Sequence, residues 1–429
     1  MNGVPAADDG QESGRPRRGF YGWWMVGLCA VAFALSAPGQ TDGISVFIDP
    51  MIDELGLSRS GVSTAYLLAT LASATILPRV GRFLDQAGSR RSLLLIAVAF
   101  GTALAATAGV RGFVSLTIAF FFLRLLGQGS LSLVASTAVA PWFVRRRGFA
   151  IGVTTAVGAS LMSLVPIGSA ALIRATGWRV SWLVLAGVVA VVLLPIALRG
   201  IVDTPADIGQ RPDGQPPPDN DHTTVGDGYE GSFTRRDALR TPAFWVLAGA
   251  VATTSGIGTG LQFHQIALLG EQGLSPIEAA ANFLPQTAGV LLTTLVVGAL
   301  TDRIGLRWIL IAGMATQAAA MLVVPSIAPG PSALVYGLLL GSAGAMVRTS
   351  EAAATPRLYG LRELGAIRGV VRFVSVAASA LGPVVLAVGR ELTGSYTLTL
   401  TLLLVIPAAI TLAALLVSTQ PPPRPTPAP

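Results

Sequence analysis

Long apolar stretches separated by short polar segments make up most of this chain. Each stretch has roughly 20 residues, which is enough to cross a ~30 Å hydrocarbon core as a helix. Because a spanning helix satisfies its own backbone hydrogen bonds, the pattern predicts an all-α integral membrane protein with 12 transmembrane helices. The predicted spans lie at about 22–47, 60–80, 92–109, 114–141, 149–173, 180–198, 242–268, 276–300, 308–326, 332–356, 367–389 and 395–418.

Two of the polar segments share one pattern in one register. Residues 81–91 read GRFLDQAGSRR and residues 298–308 read GALTDRIGLRW, and ELGLS at 54–58 returns as EQGLS at 271–275. The displacement is 217 residues each time, so we predict two copies of one six-helix unit. The matching loop residues are Gly81, Asp85, Gly88 and Arg90 in the first copy, and Gly298, Asp302, Gly305 and Arg307 in the second.

A polar stretch at 200–240 divides the chain nearly in half. It is rich in Pro, Gly and Asp and cannot form a core, so it is predicted to be a flexible cytoplasmic linker. The predicted bundles are therefore 20–199 and 241–418. The polar ends, 1–19 and 419–429, are predicted to be disordered tails.

The composition agrees with a membrane location. Hydrophobic residues make up 52% of the chain and charged residues 12%, whereas a soluble domain carries about 25% charged residues. All 29 basic residues are arginine, and they lie mostly in short loops, so the sequence pI near 10.4 does not indicate a nucleic-acid partner. The single cysteine, Cys29, lies in the first span and excludes an intrachain disulfide.

The positions of the arginines predict the orientation. With the N-terminus inside, twenty arginines fall in inside loops and tails, five in outside turns and four within spans. This excess follows the positive-inside rule. We expect both termini and the linker to be cytoplasmic, and the protein to be surrounded by the lipid of the cell (inner or plasma) membrane.

The six-plus-six pattern, with G-x-x-x-D-x-x-G-x-R after the second and eighth spans, resembles the major facilitator superfamily. The first half is similar to its monocarboxylate and oxalate/formate branch. The residues that carry this likeness are RGFYGWWMV (18–26), ELGLSRSGVS (54–63), APWFVRRRGFAIG (140–152) and GWR (177–179).

The resemblance implies two pseudo-symmetric six-helix bundles with alternating access to a central cavity. It also implies that Asp85 locks a cytoplasmic gate against the eleventh helix, and that Asp302 does so against the fifth. The alternative is that both loops only join helices. One departure concerns the substrate: the branch is expected to use a cation in the eighth helix, but 276–300 contains only Glu278 as a charge.

Charged residues inside the spans are functional candidates, because each costs at least ~2.5–3.5 kcal/mol on insertion scales. At 1.5 Å per residue, Asp42 lies roughly 9 Å and Arg124 roughly 15 Å from the outer ends of their helices. We predict an Asp42–Arg124 pair for proton coupling, and RLLGQG (124–129) resembles the fourth-helix motif of proton-coupled members. The alternatives are a permanent structural pair, or an Asp42 that faces external water.

Polar residues within the spans are candidates for the substrate cavity. Gln40 follows Pro38 and Gly39, where the first helix is interrupted, and either lines the cavity or marks a packing kink. Gln286, after Pro285, is the polar lining of the eighth helix. In the seventh helix, Gln262 and His264 are candidates, and His264 is predicted near the outer mouth as a pH sensor or as an ordinary interfacial histidine.

Three charges in the tenth and eleventh helices complete the candidate site. Arg348 is the deepest and is predicted to bind an anionic substrate. Glu351 is predicted to form a bridge with Arg372 that closes the cytoplasmic side. The alternative is that Glu351 neutralises Arg348, three residues away on the same helical face.

These features predict a secondary active transporter of a small organic solute, possibly an organic anion held by Arg124 or Arg348, with proton coupling. The alternatives are proton-linked efflux of amphipathic drug-like compounds and a membrane sensor that does not transport. The sequence has no HExxH, GxSxG, Walker or CxxC motif, so no enzyme is predicted. It predicts no cofactor and no metal site.

Overall fold

The computed structural model describes residues 20–214, 233–301, 303–360 and 363–417. These ranges contain twelve helical spans long and apolar enough to cross a membrane, and they contain no strand. The predicted all-α fold is therefore confirmed. The spans are α1 (Gly22–Gly39), α2 (Arg59–Leu84), α3 (Ser89–Thr107), α4 (Phe113–Trp142), α5 (Arg147–Thr176), α6 (Trp178–Gly200), α7 (Pro242–Phe263), α8 (Pro276–Leu300), α9 (Leu306–Ser326), α10 (Pro331–Tyr359), α11 (Leu364–Thr393) and α12 (Tyr396–Leu416).

The first span is broken where the sequence predicted an interruption. Its α-helix ends at Ala34, a 3₁₀ turn covers Ala37–Gly39, and Gln40 is extended with ψ 164°. A Cβ on Gly39 would lie 2.3 Å from the carbonyl oxygen of Leu123, so only glycine lets the broken end of α1 approach α4 this closely.

Glycines also bring helices of the second bundle into contact. A Cβ on Gly382 would lie 1.9 Å from the carbonyl oxygen of Gly256, where α11 crosses α7. A Cβ on Gly341 would lie 2.0 Å from the carbonyl oxygen of Gln286, where α10 crosses α8. Close backbone packing of this kind replaces the hydrophobic driving force that membrane helices lack.

Both described ends of the linker are docked, which corrects the prediction of a flexible segment throughout 200–240. On the first bundle, Asp203 accepts a hydrogen bond from the backbone N–H of Arg90 at 2.9 Å. On the second, the backbone N–H of Phe233 donates to the carbonyl oxygen of Tyr359 at 2.9 Å. Composition alone missed these contacts because each depends on a backbone group that is distant from the linker in the sequence. Residues 215–232 and both predicted tails lie outside the described ranges, and their disorder stays a prediction.

We call the side of the molecule that carries the linker the linker side, and the opposite side the far side. Among the described residues, the side-chain hydrogen bonds that join the two bundles lie on the far side. The backbone N–H of Ser60 donates to Glu391 at 3.0 Å, and Ser63 Oγ lies 3.5 Å from His264 Nε2. These contacts close the far side.

The repeated glutamates of the 54–58 and 271–275 segments have matching roles on the far side. Glu54 accepts a hydrogen bond from Arg179 at 2.8 Å, and Glu271 accepts one from Arg390 at 2.8 Å. The hydrogen bond from Arg179 holds the pKa of Glu54 below its usual value. Each glutamate thus ties a far-side turn to another helix of its own bundle.

Candidate substrate-binding site

Two connected cavities lie along α10 and α11. The first, which we call the vestibule, has a volume of about 640 Å³ and lies at the linker-side end of α11, beside Leu364 and Arg368. The second, which we call the inner chamber, has a volume of about 230 Å³ and extends deeper, to Gln262 and Ser379. Three residues line both cavities, so they form one path from the linker side inward: Arg348, Arg372 and Ser375.

Two arginine side chains line this path. The side chains of Arg348 and Arg372 are both exposed to the cavities. Within the described ranges, neither side chain donates a hydrogen bond or forms an ion pair. Guanidinium groups in this state present several N–H donors in fixed geometry, which suits a carboxylate or a related oxyanion. The prediction that Arg348 lines the cavity agrees with this geometry.

The partner of Glu351 differs from the prediction. Glu351 accepts two hydrogen bonds from Arg368, at 3.1 Å each, and not from Arg372. Arg368 lies one turn before Arg372 on α11, closer to the linker side, and it occupies both carboxylate oxygens. Glu351 therefore neutralises neither Arg372 nor Arg348, and the predicted Glu351–Arg372 bridge is wrong.

Hydroxyl groups line the contact between α7 and α11. Ser255 and Ser375 are 2.8 Å apart, and Thr259 and Ser379 are also 2.8 Å apart. All four residues line the inner chamber. The sequence analysis missed them, although their i, i+4 spacing on two helices was a visible signal.

Gln262 lines the inner chamber as predicted, but Gln286 does not. Gln262 donates to Gln286 Oε1 at 3.3 Å, and Gln286 donates to Gln265 Oε1 at 2.5 Å. Gln265 in turn donates to the carbonyl oxygen of Ala279. Gln286 is buried behind Gln262 in this amide network, which holds α7 against α8.

The predicted Asp42–Arg124 ion pair is not formed. Arg124 is only 4% exposed; its guanidinium lies 4.7 Å from the ring centroid of Tyr66, and one nitrogen is 3.4 Å from Thr41 Oγ1. Among the described residues it has no ion-pair partner. Arg124 thus packs inside the first bundle and does not line the inner chamber, contrary to the prediction.

Gln40 also has a packing role. Its amide donates to Ser36 Oγ at 3.0 Å and to Ser132 Oγ at 3.2 Å, so it joins α1 to α4. It does not line either cavity, and the packing alternative is the one observed. The first bundle instead contributes Gln128 to the inner chamber, from a π-helical stretch at Leu123–Leu131. Such stretches often occur at functional sites.

His264 lies at the far-side end of α7, where it is sealed between the bundles. It is 1% exposed, and its Nε2 lies 2.8 Å from the carbonyl oxygen of Pro383. It contacts neither cavity. His264 therefore belongs to the far-side closure and not to the substrate cavity.

The two repeated loops differ in detail. Gly88 has φ +80°, which favours glycine, and a Cβ there would lie 2.9 Å from an oxygen of Asp203. Gly305 has φ −60°, a backbone conformation that any residue can adopt. Arg90 donates to the carbonyl oxygen of Leu198, and Arg307 donates to that of Val417.

Cβ atoms at Gly81 and Gly298 would meet open space, so neither position requires glycine for lack of room. The side chain of Asp85 and the whole of Asp302 lie outside the described residues, so their gating role stays a prediction.

Comparison with known proteins identifies the family. The sequence model of the Major Facilitator Superfamily matches residues 24–285 and 263–429. The chain belongs to this superfamily. As a member, it is a multi-pass membrane protein of a transporter family and not an enzyme.

Curated relatives include transporters of small anions. The chain is 26% identical over 229 residues to the oxalate:formate antiporter of Oxalobacter formigenes, covering 52% of this chain and 50% of that protein. It is 27% identical over 146 residues to a probable sulfoacetate transporter of Cupriavidus necator, covering 34% of each. The matches span about half or less of the length of these relatives.

Solved structures of this superfamily share the fold over nearly the whole chain. An inward-facing, occupied bacterial homologue of the human lysosomal transporter Spinster superposes with a TM-score of 0.67 at 16% identity, covering 97% of this chain and 100% of that one. The nucleoside transporter NupG gives a TM-score of 0.72 at 11% identity, covering 92% and 99%. At these identities the likeness concerns the fold alone.

Proposed function

We propose that this superfamily member is a secondary active transporter that carries a small organic anion across the cell membrane by alternating access. The observation that carries the proposal is a pair of arginines, Arg348 and Arg372, that face the inner chamber and have no ion-pair partner among the described residues. The oxalate:formate antiporter and the probable sulfoacetate transporter among the relatives support an anionic substrate.

The size and lining of the chamber favour a small polar solute over a drug. The part beyond the vestibule has a volume of about 230 Å³, below the ~300–1,000 Å³ of pockets that enclose drug-sized ligands. A drug-sized compound would therefore have to extend out of the inner chamber into the vestibule. The chamber wall is formed largely by arginines, hydroxyls and amides, which an amphipathic compound would leave without hydrogen bonds. We therefore favour anion transport over efflux of amphipathic compounds.

The charges give a physical reason for coupling. We take the linker side as cytoplasmic, because the arginine excess lies there, so the vestibule opens inward in this state. Closing it over Arg348 and Arg372 without a ligand would bury two uncompensated cations, at roughly 2.5–3.5 kcal/mol each. A bound anion removes most of that cost. Neutralising one of the two cations already corresponds to about 100-fold, so the empty carrier should reorient at least about 100-fold less often than the loaded one. This favours obligatory exchange or symport.

We also propose that protons take part, with Asp42 as the carboxylate that binds and releases one. Asp42 has no ion-pair partner among the described residues, and the positive charge of Arg124 acts on it from nearby. The charge state of Asp42 would then change the field around Arg124 within the first bundle.

The test is transport by the purified full chain in proteoliposomes. Labelled oxalate should enter vesicles preloaded with unlabelled oxalate in a saturable manner, at least ten times faster than it enters empty vesicles. Protein-free vesicles and a neutral solute are the controls. If none of oxalate, formate, sulfoacetate and gluconate is taken up or bound, the anion proposal fails. Proton linkage is tested by measuring uptake in the same vesicles at varied pH. If the Asp42→Asn variant has the wild-type pH profile, the proposed role of Asp42 in proton coupling is wrong.

A further inference from the structure

We propose that the inner chamber selects anions that carry hydroxyl groups along the chain, of the sugar-acid type, over anions with a bare hydrocarbon chain. This inference rests on the anion transport proposed above. It concerns the wall of the chamber beyond Arg348 and Arg372, which is more polar than binding of a carboxylate requires.

The polar wall begins at the charges and runs inward along α11. Arg372, Ser375 and Ser379 are spaced i, i+3 and i+7, so they share one face of the helix. At 1.5 Å per residue, Ser379 lies about 10 Å further along the helix than Arg372. All three line the inner chamber. A ligand whose carboxylate binds the arginines would extend along this face.

The hydroxyls on this wall keep unused hydrogen-bonding capacity. Each hydroxyl has one donor and two acceptor lone pairs, so each of the pairs Ser255–Ser375 and Thr259–Ser379 uses one donor and leaves the other. Among the described residues, none of the four makes a further side-chain hydrogen bond.

Neighbouring hydroxyls on α7 are satisfied in a different way. Thr253 donates to the carbonyl oxygen of Gly249 at 2.8 Å, and Thr254 donates to that of Ala250 at 3.1 Å. Backbone bonds of this kind are the usual solution for hydroxyls in membrane helices. Thr253 lies away from the chamber, whereas Thr254 lines it but uses its donor on the backbone. Ser255 and Thr259 also line the chamber and bond across to α11 instead, so one donor of each pair and the remaining lone pairs are available to a ligand.

The deep end of the chamber is also lined by polar side chains, in this case amides. Gln262 from α7 and Gln128 from α4 both line it. The Gln262 amide nitrogen is engaged by Gln286, which leaves its oxygen without a hydrogen bond from another described side chain. The chamber therefore offers charge at one end and amides at the other, with hydroxyls between them.

Interhelical bonding is the competing explanation for the hydroxyl pairs, because Ser and Thr often hold membrane helices together. That role predicts a change in stability without a change in ligand preference. The two explanations are therefore separated by measuring binding and unfolding on the same variants.

The experiment uses the purified full chain and three probes of matched length. Gluconate carries a carboxylate and five hydroxyls, hexanoate carries the carboxylate alone, and sorbitol carries hydroxyls without charge. We expect calorimetry to give a Kd for gluconate at least about 10-fold below that for hexanoate, because several hydrogen bonds are gained. Sorbitol should bind at least 10-fold more weakly than gluconate, since it lacks the charge. In Ser375→Ala/Ser379→Ala, the Kd for gluconate should rise about 10-fold and that for hexanoate should stay the same.

Thr253→Val is the matched control, because Thr253 lies on α7 away from the chamber, and it should keep the preference for gluconate. Thr259→Val provides an independent test if the double variant does not fold. Equal binding of hexanoate and gluconate by the wild type overturns this inference and leaves anion transport intact. If the wild type binds oxalate but not gluconate, this inference is likewise overturned and anion transport stands. Equal binding of sorbitol and gluconate, or no binding of any anion, overturns the proposed function and this inference with it.

Discussion

The two bundles carry the same repeated sequence motifs, yet they use their membrane arginines in opposite ways. Arg124 of the first bundle is buried against Tyr66 and Thr41. Arg348 and Arg372 of the second bundle face a cavity and have no partner in the described ranges. The repeat thus preserves the scaffold, including the paired glutamates of the far side, while the chemistry of the interior differs. The first bundle supplies Gln128 to the chamber, while its arginine is held within the packing of its own helices.

Replacing Arg348 should have the largest effect on substrate binding, and replacing Arg124 should mainly affect stability. Arg348→Gln removes charge-assisted hydrogen bonds of ~1.5–3 kcal/mol, so the Kd for oxalate should rise about 10- to 100-fold. Its unfolding midpoint should change little, because Arg348 forms no hydrogen bond or ion pair with another described side chain. Arg124→Gln should lower the midpoint, since the contacts with Tyr66 and Thr41 are lost, and should weaken binding less.

Calorimetry and thermal unfolding of the purified variants measure both quantities. Arg174→Gln, an exposed change at the far-side end of α5, is the control for loss of one positive charge. If Arg124→Gln weakens binding as strongly as Arg348→Gln does, the contrast between the bundles is wrong.

A smaller effect should come from the ion pair at the vestibule. In Arg368→Gln, the Glu351 carboxylate is released three residues from Arg348 on the same face of α10, where it competes with the substrate. A partly exposed ion pair contributes up to about 1 kcal/mol, so the Kd for oxalate should rise by up to about 5-fold. Adding Glu351→Gln to this variant should restore the wild-type value, because no competing carboxylate remains. A double variant that binds no better than Arg368→Gln would instead make Arg368 a direct ligand of the anion.

The smallest effect concerns the docked linker of the first bundle. Burial acts to raise the pKa of Asp213, but hydrogen bonds from the backbone N–H groups of Arg145 and Val144 outweigh it and hold the pKa below its usual value. Because the folded pKa is depressed, this docking contributes stability above the unfolded pKa of about 3.9. The contribution is lost as the pH falls through the folded value.

Asp213→Asn should therefore speed amide hydrogen exchange at Val144 and Arg145 at pH 7 by a few-fold. The difference from the wild type should disappear at pH values below the folded pKa. Asp207→Asn is the control, because Asp207 accepts from Thr204 within the linker itself. Equal exchange in the wild type and in Asp213→Asn at pH 7 would show that this carboxylate does not hold the loop.

The fold was predictable because the apolar spans and the 217-residue repeat encode it directly. Arg348 and Gln262 line the inner chamber, in agreement with their predicted location in a cavity, and their contact with a substrate stays a proposal. The partner of Glu351 was not predictable, because Arg368 and Arg372 are one turn apart on α11. Choosing between them requires the position of α11 against α10, which spacing along the chain does not contain.

The Asp42–Arg124 prediction failed for a related reason. It assumed a regular rise of 1.5 Å per residue in both helices. The first span is broken at Gln40, and the fourth is π-helical from Leu123 to Leu131, so both depth and rotation depart from that assumption. Hydroxyl pairs such as Thr259–Ser379 were missed because each hydroxyl alone is unremarkable in an apolar helix.

The docked linker has a consequence for how the molecule can be divided. One end of the linker is hydrogen-bonded to the first bundle through Asp203, and the other end is hydrogen-bonded to the second bundle through Phe233. A break in the chain that leaves both docked ends intact must therefore lie within 215–232. Fully extended, these residues could span at most about 65 Å. We expect two polypeptides split there and co-expressed to reassemble through Ser60, His264 and Glu391, with exchange activity retained.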